Sequence, residues 1–285
     1  MDQSGQEPSL NLDELIGKVK DIPPMPAVVM RAMKAAQNPD VSIRALQVLI
    51  SQDQALSAKI LKIVNSAMYA LRREVTTVSH AVSVLGINTV KSVIMAATVE
   101  VVFQNSKDLS SKLQSDHAWG AALASRAIAR RIQYEDVEEA LICGLMHDIG
   151  KPVMMQNFKE QYSEIAFEVY SGAGGFYRNE IQMFGFSHAQ VGALLARKWN
   201  FPPQLAEAVG YHHLPLSAPE YKQLTCIVNL GNLLMVKLGI GFEKNPELAL
   251  EDEPAARFLR LDKAVFDAIA LEVLATMKAT AVLRS

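Results

Sequence analysis

Apolar residues along this chain recur at three- and four-residue spacing, and strict apolar–polar alternation is missing. Short stretches of the helical pattern are separated by Pro, Gly and Asn-Pro punctuation. The pattern predicts an all-α fold. Residues 1–9 are polar and predict a disordered start. A first short helix is expected over 10–19, closed by Ile22-Pro23-Pro24-Met25-Pro26. Pro26 can open the next helix, to about residue 37, because a first-turn proline forfeits only an unpaired N–H. Asn38-Pro39 stops it, and Ser42 can cap a helix over 43–50. Leu56, Ile60, Ile63, Val64 and Ala67 line one side of a helix over 53–67. Ser79 is expected to cap a short helix ending at Gly86, and Asn88 a longer apolar one to about Gln104.

Asn105-Ser106-Lys107-Asp108 is the best boundary in the pattern, dividing a helical module at 10–108 from a helical core at 109–285. Beyond it, helices are predicted over 110–132, 136–148 and 158–171, the last followed by Gly172-Ala173-Gly174-Gly175. Ser187 should cap a helix that starts at His188 and ends near Trp199, and Pro202-Pro203 should start one leading to His212-His213. A helix over about 219–238, a break at Gly239-Ile240-Gly241, an acidic loop at 247–253 and a final helix over 262–283 complete the chain.

A length of 285 residues suits one large or two medium domains, and half the residues are apolar, enough for a real core. A net charge of −2 argues against a nucleic-acid binder built on a large basic surface. The densest basic cluster, Lys59, Lys62, Arg72 and Arg73, reads as a solvated face or as a small phosphate-binding patch. Cys143 and Cys226 lie in apolar helical contexts without disulfide or metal spacing, which fits a reduced, cytoplasmic setting. The acidic start and the lack of an uninterrupted apolar run of about 18 residues predict neither signal peptide nor membrane span.

The chemistry concentrates at His147-Asp148, an imidazole beside a carboxylate in an otherwise apolar segment. Burying that pair is costly unless something pairs with it, and a metal ion is the obvious candidate. Of six histidines, His117, His147, His188, His212 and His213 fall in the second half, each on or at the end of a predicted helix. Helical bundles build metal sites from facing helices in this way. Each taken singly reads equally as a satisfied core or surface histidine. Together they offer imidazole nitrogen with little charge, which suits a divalent transition metal (Fe, Mn, Zn or Ni) better than Ca²⁺ or Mg²⁺. His80 stands apart as a surface residue at a helix start. Trp119 and Trp199 lie on helices carrying candidate ligands, and core packing accounts for both.

His117, then His147-Asp148-Ile149-Gly150-Lys151, then His188, then His212-His213 resembles the ligand order of the HD superfamily of metal-dependent phosphohydrolases. Pro23-Pro24-Met25-Pro26, Asp53-Gln54-Ala55-Leu56, Asn65-Ser66-Ala67-Met68-Tyr69 and Ala81 to Leu85-Gly86 are similar to the opening of its HDOD branch. Glu180, Phe184-Gly185, Val191-Gly192 and Trp199 continue that likeness, which covers roughly residues 15–240. The resemblance implies an N-terminal helical module packed on an HD-like core. It also implies a role in bacterial signal transduction, as a response-regulator-like module, commonly without catalysis. Its partner would be a regulatory protein or a small nucleotide-like ligand. By position, His117, His147, Asp148, His188, His212 and His213 would hold the metal.

The chain departs from the pattern in two places. The last HD ligand is usually an Asp on a later helix, whereas the best local candidate here is Asn232, with Asn229 as the alternative. A carboxamide keeps an oxygen donor but removes a full negative charge, so metal should be held less tightly than in intact HD enzymes. In the HD-GYP branch a Gly-Tyr-Pro segment follows the paired histidines, whereas Leu214-Pro215-Leu216-Ser217 follows them here. Hydrolysis of cyclic-di-GMP is therefore not expected. Lys151 reads either as a phosphate contact or as a helix-end lysine facing the macrodipole, and Glu180 either as an acceptor orienting a ligand histidine or as a surface glutamate. The leading expectation is a regulatory module with a structural or vestigial metal site. The alternative is a metal-dependent phosphohydrolase acting on a nucleotide or cyclic nucleotide.

Overall fold

Among the described residues every regular element is a helix, as the spacing of apolar residues predicts. The structure, a computed structural model, describes residues 54–66, 74–103 and 109–282, with the isolated positions 19, 30, 50, 69 and 71. The expectations for the 1–9 tail, the helices over 10–19, 26–37 and 43–50, the 23–26 segment, the 105–108 boundary, Arg72 and Arg73 lie outside those residues. So does the side chain of Lys59, while Lys62 is exposed to solvent.

The described chain opens with α1 (Gln54–Val64), which buries Ile60, Ile63 and Val64 against α2 (Val78–Phe103). Asn65 closes α1 by pairing reciprocally with the Val75 backbone, its Nδ2 donating to the carbonyl and its Oδ1 accepting the N–H, both at 2.7 Å. Within α2, Gly86 has φ 82° and ψ 165°, so the span is two helical pieces meeting at a kink, as the sequence predicts. Its cap differs from expectation. Thr77 Oγ1 takes the His80 N–H at 3.1 Å, and Ser79 lies inside the helix. His80 itself is exposed.

The core is built on α3 (Leu109–Arg131), which packs against both α4 (Val137–Met146) and α10 (Lys222–Leu238). Small residues let these three axes come close. A Cβ added at Gly144 would lie 2.5 Å from Ser125 Oγ and 2.8 Å from the Ala121 carbonyl oxygen, and one at Gly231 would collide with the same Ser125 hydroxyl. Two glycines from different helices thus seat on one face of α3. That contact fixes the heights of His117, His147 and Asn232, each within about one turn of it.

Helix α4 starts on a side-chain cap, Asp136 accepting the Glu139 N–H, with Glu138 and Glu139 in its first turn, where the macrodipole favours acids. All of Ala140 to Met146 is buried. The helix stops earlier than predicted, and a separate α5 (Gly150–Asn157) begins three residues on. The turn follows from backbone crowding, since Gly150 is pressed against the His188 carbonyl at the start of α8 (His188–Lys198). Pro152 does not break α5, because it sits in the first turn, where its missing N–H has no partner to lose.

Four further long helices are α6 (Lys159–Tyr170), α7 (Phe176–Phe184), α9 (Pro203–Tyr211) and α12 (Lys263–Val282). Helix α7 is not anticipated by the sequence reading, nor is the short α11 (Pro254–Leu259) after the acidic loop. The signals for α7 are the spacing of Phe176, Glu180 and Phe184 and the left-handed Gly185 (φ 79°) closing it. Trp199 is buried and meets Phe201 edge-on, and Trp119 is half-buried against the same core. Both cysteines are buried free thiols. No helix among the described residues is long and apolar enough to cross a membrane.

Candidate metal centre

Three helix ends or turns and two helix interiors deliver polar side chains to one point. His117 comes from α3, His147 and Asp148 from the turn after α4, His188 from the first residue of α8, His212 and His213 from the end of α9, and Asn232 from α10. The Ser187 capping box, with Gln190 returning to the Ser187 backbone, fixes the start of α8 and hence the place of His188.

Each of four imidazoles is held by its inner nitrogen. The Nδ1 of His117 lies 2.9 Å from the Ile240 carbonyl, that of His147 2.7 Å from the Gly144 carbonyl, and that of His212 2.7 Å from the Val209 carbonyl. A carbonyl only accepts, so these Nδ1 atoms carry protons, and in the neutral rings the lone pairs sit on Nε2. The fourth, His188, turns its Nδ1 to the Glu180 carboxylate at 2.6 Å.

The Nε2 atoms face one another. His117 and His147 lie 3.3 Å apart, His188 and His212 3.4 Å, and His188 and His213 3.1 Å. Asp148 stands between the two groups. Its Oδ2 is 3.2 Å from His147 Nε2 and 3.6 Å from His117 Nε2, and its Oδ1 is 3.1 Å from His188 Nε2. Two donor sets result, His117–His147–Asp148 and His188–His212–His213. Asn232 joins the first, with its Oδ1 3.0 Å from His117 Nε2. Asn229 instead donates its Nδ2 proton to the His212 carbonyl at 2.8 Å, bracing the backbone of the paired histidines.

The donor chemistry fits a divalent transition metal. Lone pairs converging at these distances repel unless positive charge stands among them, and nitrogen-rich sets with one carboxylate suit such ions. Asp148 Oδ1 is fully buried and, despite the nearby imidazole, makes no hydrogen bond of acceptable geometry. An orphaned carboxylate oxygen in such a place is what a missing cation would explain.

Glu180 is completely buried. Its Oε2 accepts the His188 backbone N–H at 2.7 Å as well as the ring Nδ1–H, and its Oε1 accepts the Tyr162 hydroxyl at 2.7 Å. It therefore orients His188 and is no surface residue. Lys151 is not at a helix C-terminus, where the macrodipole would favour a cation. It is the second residue of α5, buried, with Nζ 2.7 Å from Asp148 Oδ2 and 4.6 Å from the centre of the Phe176 ring.

Electrostatics follow from this packing. Burial depresses His117 to about 4 and holds His212 and His213 well below the usual histidine value, helped by neighbouring imidazoles. At His188 burial is the largest influence and works in the same direction, but the charge of Glu180 and the hydrogen bonds to Glu180 and Asp148 together outweigh it and lift the ring to about 9. Burial also opposes the Asp148 charge, yet His147 and Lys151 overcome it and keep that carboxyl well below the carboxylate range.

The centre reaches the surface through a cavity of about 20 Å³, room for about one water molecule. Its walls include Leu113, Gln114, Lys151, Phe176 and Phe242. Glu243 anchors one wall by accepting the Phe176 N–H at 2.9 Å.

A family model described as the HDOD domain matches residues 22–215. An uncharacterized protein of Treponema pallidum (strain Nichols) is 29% identical over 223 residues, which are 76% of this chain and 42% of that protein. The chain thus spans less than half the length of that relative. Three crystal structures share the fold. An HDOD domain protein with unknown function from Geobacter sulfurreducens is 24% identical, with a TM-score of 0.82 over 94% of this chain and 95% of that one. A candidate phosphohydrolase from Shewanella amazonensis is 24% identical, with a TM-score of 0.74 over 93% and 96%. A candidate signal transduction protein from Marinobacter aquaeolei is 19% identical, with a TM-score of 0.74 over 95% of this chain and 64% of that one.

Proposed function

From the premise that this chain belongs to the HDOD domain family, we propose that it is a regulatory module of bacterial signal transduction whose buried His and Asp residues hold a structural metal. The observation that carries this reading is the small open space at the centre. A cavity of about 20 Å³ walled by Phe176, Phe242, Leu113 and Gln114 has room for about one water molecule, far less than a nucleotide occupies. Phe176 is buried, its ring stacks on Tyr162 with centroids 5.6 Å apart, and its N–H is tied to Glu243. Admitting a phosphate ester would require this packing to open.

The metal's ligands would be drawn from the two donor sets, His117, His147 and Asp148 with Asn232 as a neutral oxygen donor on one side, and His188, His212 and His213 on the other. A divalent cation there supplies Lewis acidity and a cross-link between helices from distant parts of the chain. The protein's own contribution is positional. Backbone carbonyls and Glu180 lock the ring orientations. The chain's output would then be recognition of a regulatory protein or a small nucleotide-like ligand by its helical surface.

A second reading, a metal-dependent phosphohydrolase, is favoured by one feature. Asp148 sits between two donor sets, a layout suited to two-metal hydrolysis. The test is an assay of phosphomonoesters, phosphodiesters and cyclic nucleotides with Mn²⁺ or Fe²⁺ added. The regulatory reading expects no turnover above the free metal. Turnover abolished by His147→Ala or Asp148→Ala would replace it with the enzymatic one.

A further inference from the structure

The two donor sets flanking Asp148 are not equivalent. The Oδ2 atom, which faces His117 and His147, already holds the Lys151 ammonium at 2.7 Å. The Oδ1 atom, which faces His188 and His212, has no ammonium on it: its near neighbour is the His188 ring nitrogen at 3.1 Å, poorly aligned for a hydrogen bond. A divalent ion bound to Oδ2 would stand within a few ångströms of a buried ammonium, and like charges at that range in a shielded interior repel strongly. The fourth donor on that side is the Asn232 carboxamide, which adds no negative charge to offset the repulsion.

The other side has the opposite character. His188, His212 and His213 present three Nε2 atoms within 4.8 Å of one another, and Asp148 Oδ1 completes a four-donor set. Of the four imidazoles held through Nδ1, His188 alone rests on a carboxylate, the fully buried Glu180. A carboxylate behind a histidine makes the ring a better donor and fixes its direction. Asn229 adds a brace at the His212 carbonyl.

We infer that this chain binds a single divalent cation through His188, His212, His213 and Asp148 Oδ1, and that the Lys151 ammonium serves as a built-in positive charge in the place of a second ion beside His117 and His147. The inference rests on the metal-holding reading above and specifies its stoichiometry and location. It also turns Lys151 from a ligand-binding residue into a positioning one, holding Asp148 so that Oδ1 faces the three imidazoles.

The test is a Co²⁺ titration of the full, chelator-stripped chain, read by calorimetry and by the cobalt absorption band, with folding of each variant checked by circular dichroism. The wild-type chain should take up one equivalent. His213→Ala should weaken that uptake at least about tenfold, and His117→Ala should leave it within about threefold. Should His213→Ala unfold, His212→Gln reads the same donor set. Lys151→Met should admit a second, weaker equivalent. Two equivalents of similar affinity in the wild-type chain would overturn the inference while leaving a metal-holding centre intact. So would a single equivalent lost in His117→Ala but kept in His213→Ala, or a Lys151→Met chain that still binds only one. No cobalt taken up by the folded wild-type chain would overturn the metal-holding reading itself, and the inference with it.

Discussion

Glu180 Oε2 accepts two hydrogen bonds from a single residue, the His188 ring Nδ1–H at 2.6 Å and the His188 backbone N–H at 2.7 Å. The carboxylate thereby fixes both where the ring points and where α8 begins. Glu180→Gln keeps the shape but removes the charge that makes the ring a strong donor. Outer contacts of this kind change metal affinity about 10–100-fold. The expected outcome is weakening in that range in a chelator competition, with the far-ultraviolet spectrum unchanged. Equal affinities would show that Glu180 only shapes the fold.

Asn232→Asp should act in the opposite sense. Asn232 Oδ1 lies 3.0 Å from His117 Nε2, so an acid there adds negative charge on the side where Lys151 stands. A second equivalent of Co²⁺ should then bind about tenfold or more tightly than any residual second site in the wild-type chain. An unchanged titration would show that the carboxamide does not face a cation position.

The metal-free chain should be most stable near pH 6.5. His117 is depressed from 6.5 to about 4, so as pH falls below 6.5 the unfolded chain takes up a proton that the folded chain refuses. Stability is then lost between about 6.5 and 4, and His212 and His213 act in the same sense. His188 is raised from 6.5 to about 9, so its contribution is complete below 6.5 and lost as pH rises through about 9. Thermal melts of chelator-treated protein across this range should show decline on both sides. His188→Gln should flatten the alkaline limb, and an unaltered limb would assign it to other groups.

Gly150→Ala should be among the most damaging small substitutions in the chain. Its Cβ would collide with the His188 carbonyl oxygen and lie 2.8 Å from the Gly192 nitrogen, backbone atoms that cannot step aside alone. A loss of about 1–3 kcal/mol or more is expected from such overpacking, read as a lower urea midpoint. Metal affinity should fall with it, because α5 and α8 carry Lys151 and His188. A wild-type midpoint would mean that the turn relaxes freely.

Arg126 joins α3 to α4 through Glu138, at 2.9 Å from Nε and 2.7 Å from a terminal nitrogen, and lies over the Tyr69 ring at 5.1 Å. The two side chains are 11% and 16% exposed, so the pair is largely but not wholly shielded. Arg126→Met should cost about 2–3 kcal/mol by leaving Glu138 charged without its partner, somewhat less than for a fully buried pair. Adding Glu138→Leu should restore most of that loss in the same denaturation experiment. A double variant no better than the single one would mean that packing, and not the stranded charge, sets the cost.

Much of the fold is legible in the linear pattern because a helix writes its burial into local spacing. The start of α8 at His188, the break in α2 at Gly86 and the ends of α6 and α10 follow from capping residues and glycines the sequence displays. The departures from the predicted pattern have identifiable causes too. The turn between α4 and α5 arises where Gly150 meets the backbone of a helix about 40 residues away, and α7 hides behind a glycine run that reads as a loop.

The sequence by itself determined the all-helical class, the family resemblance and the cast of candidate ligands, since these depend on residue type and short-range spacing. Only the tertiary structure decided how those ligands divide. Whether Asn232 or Asn229 faces the centre, which carboxylate oxygen takes Lys151, and that Glu180 stands behind His188 all depend on how helices far apart in sequence pack. Hydrogen-bond direction is fixed at distances of about 3 Å, and no spacing along a chain carries that information across a fold.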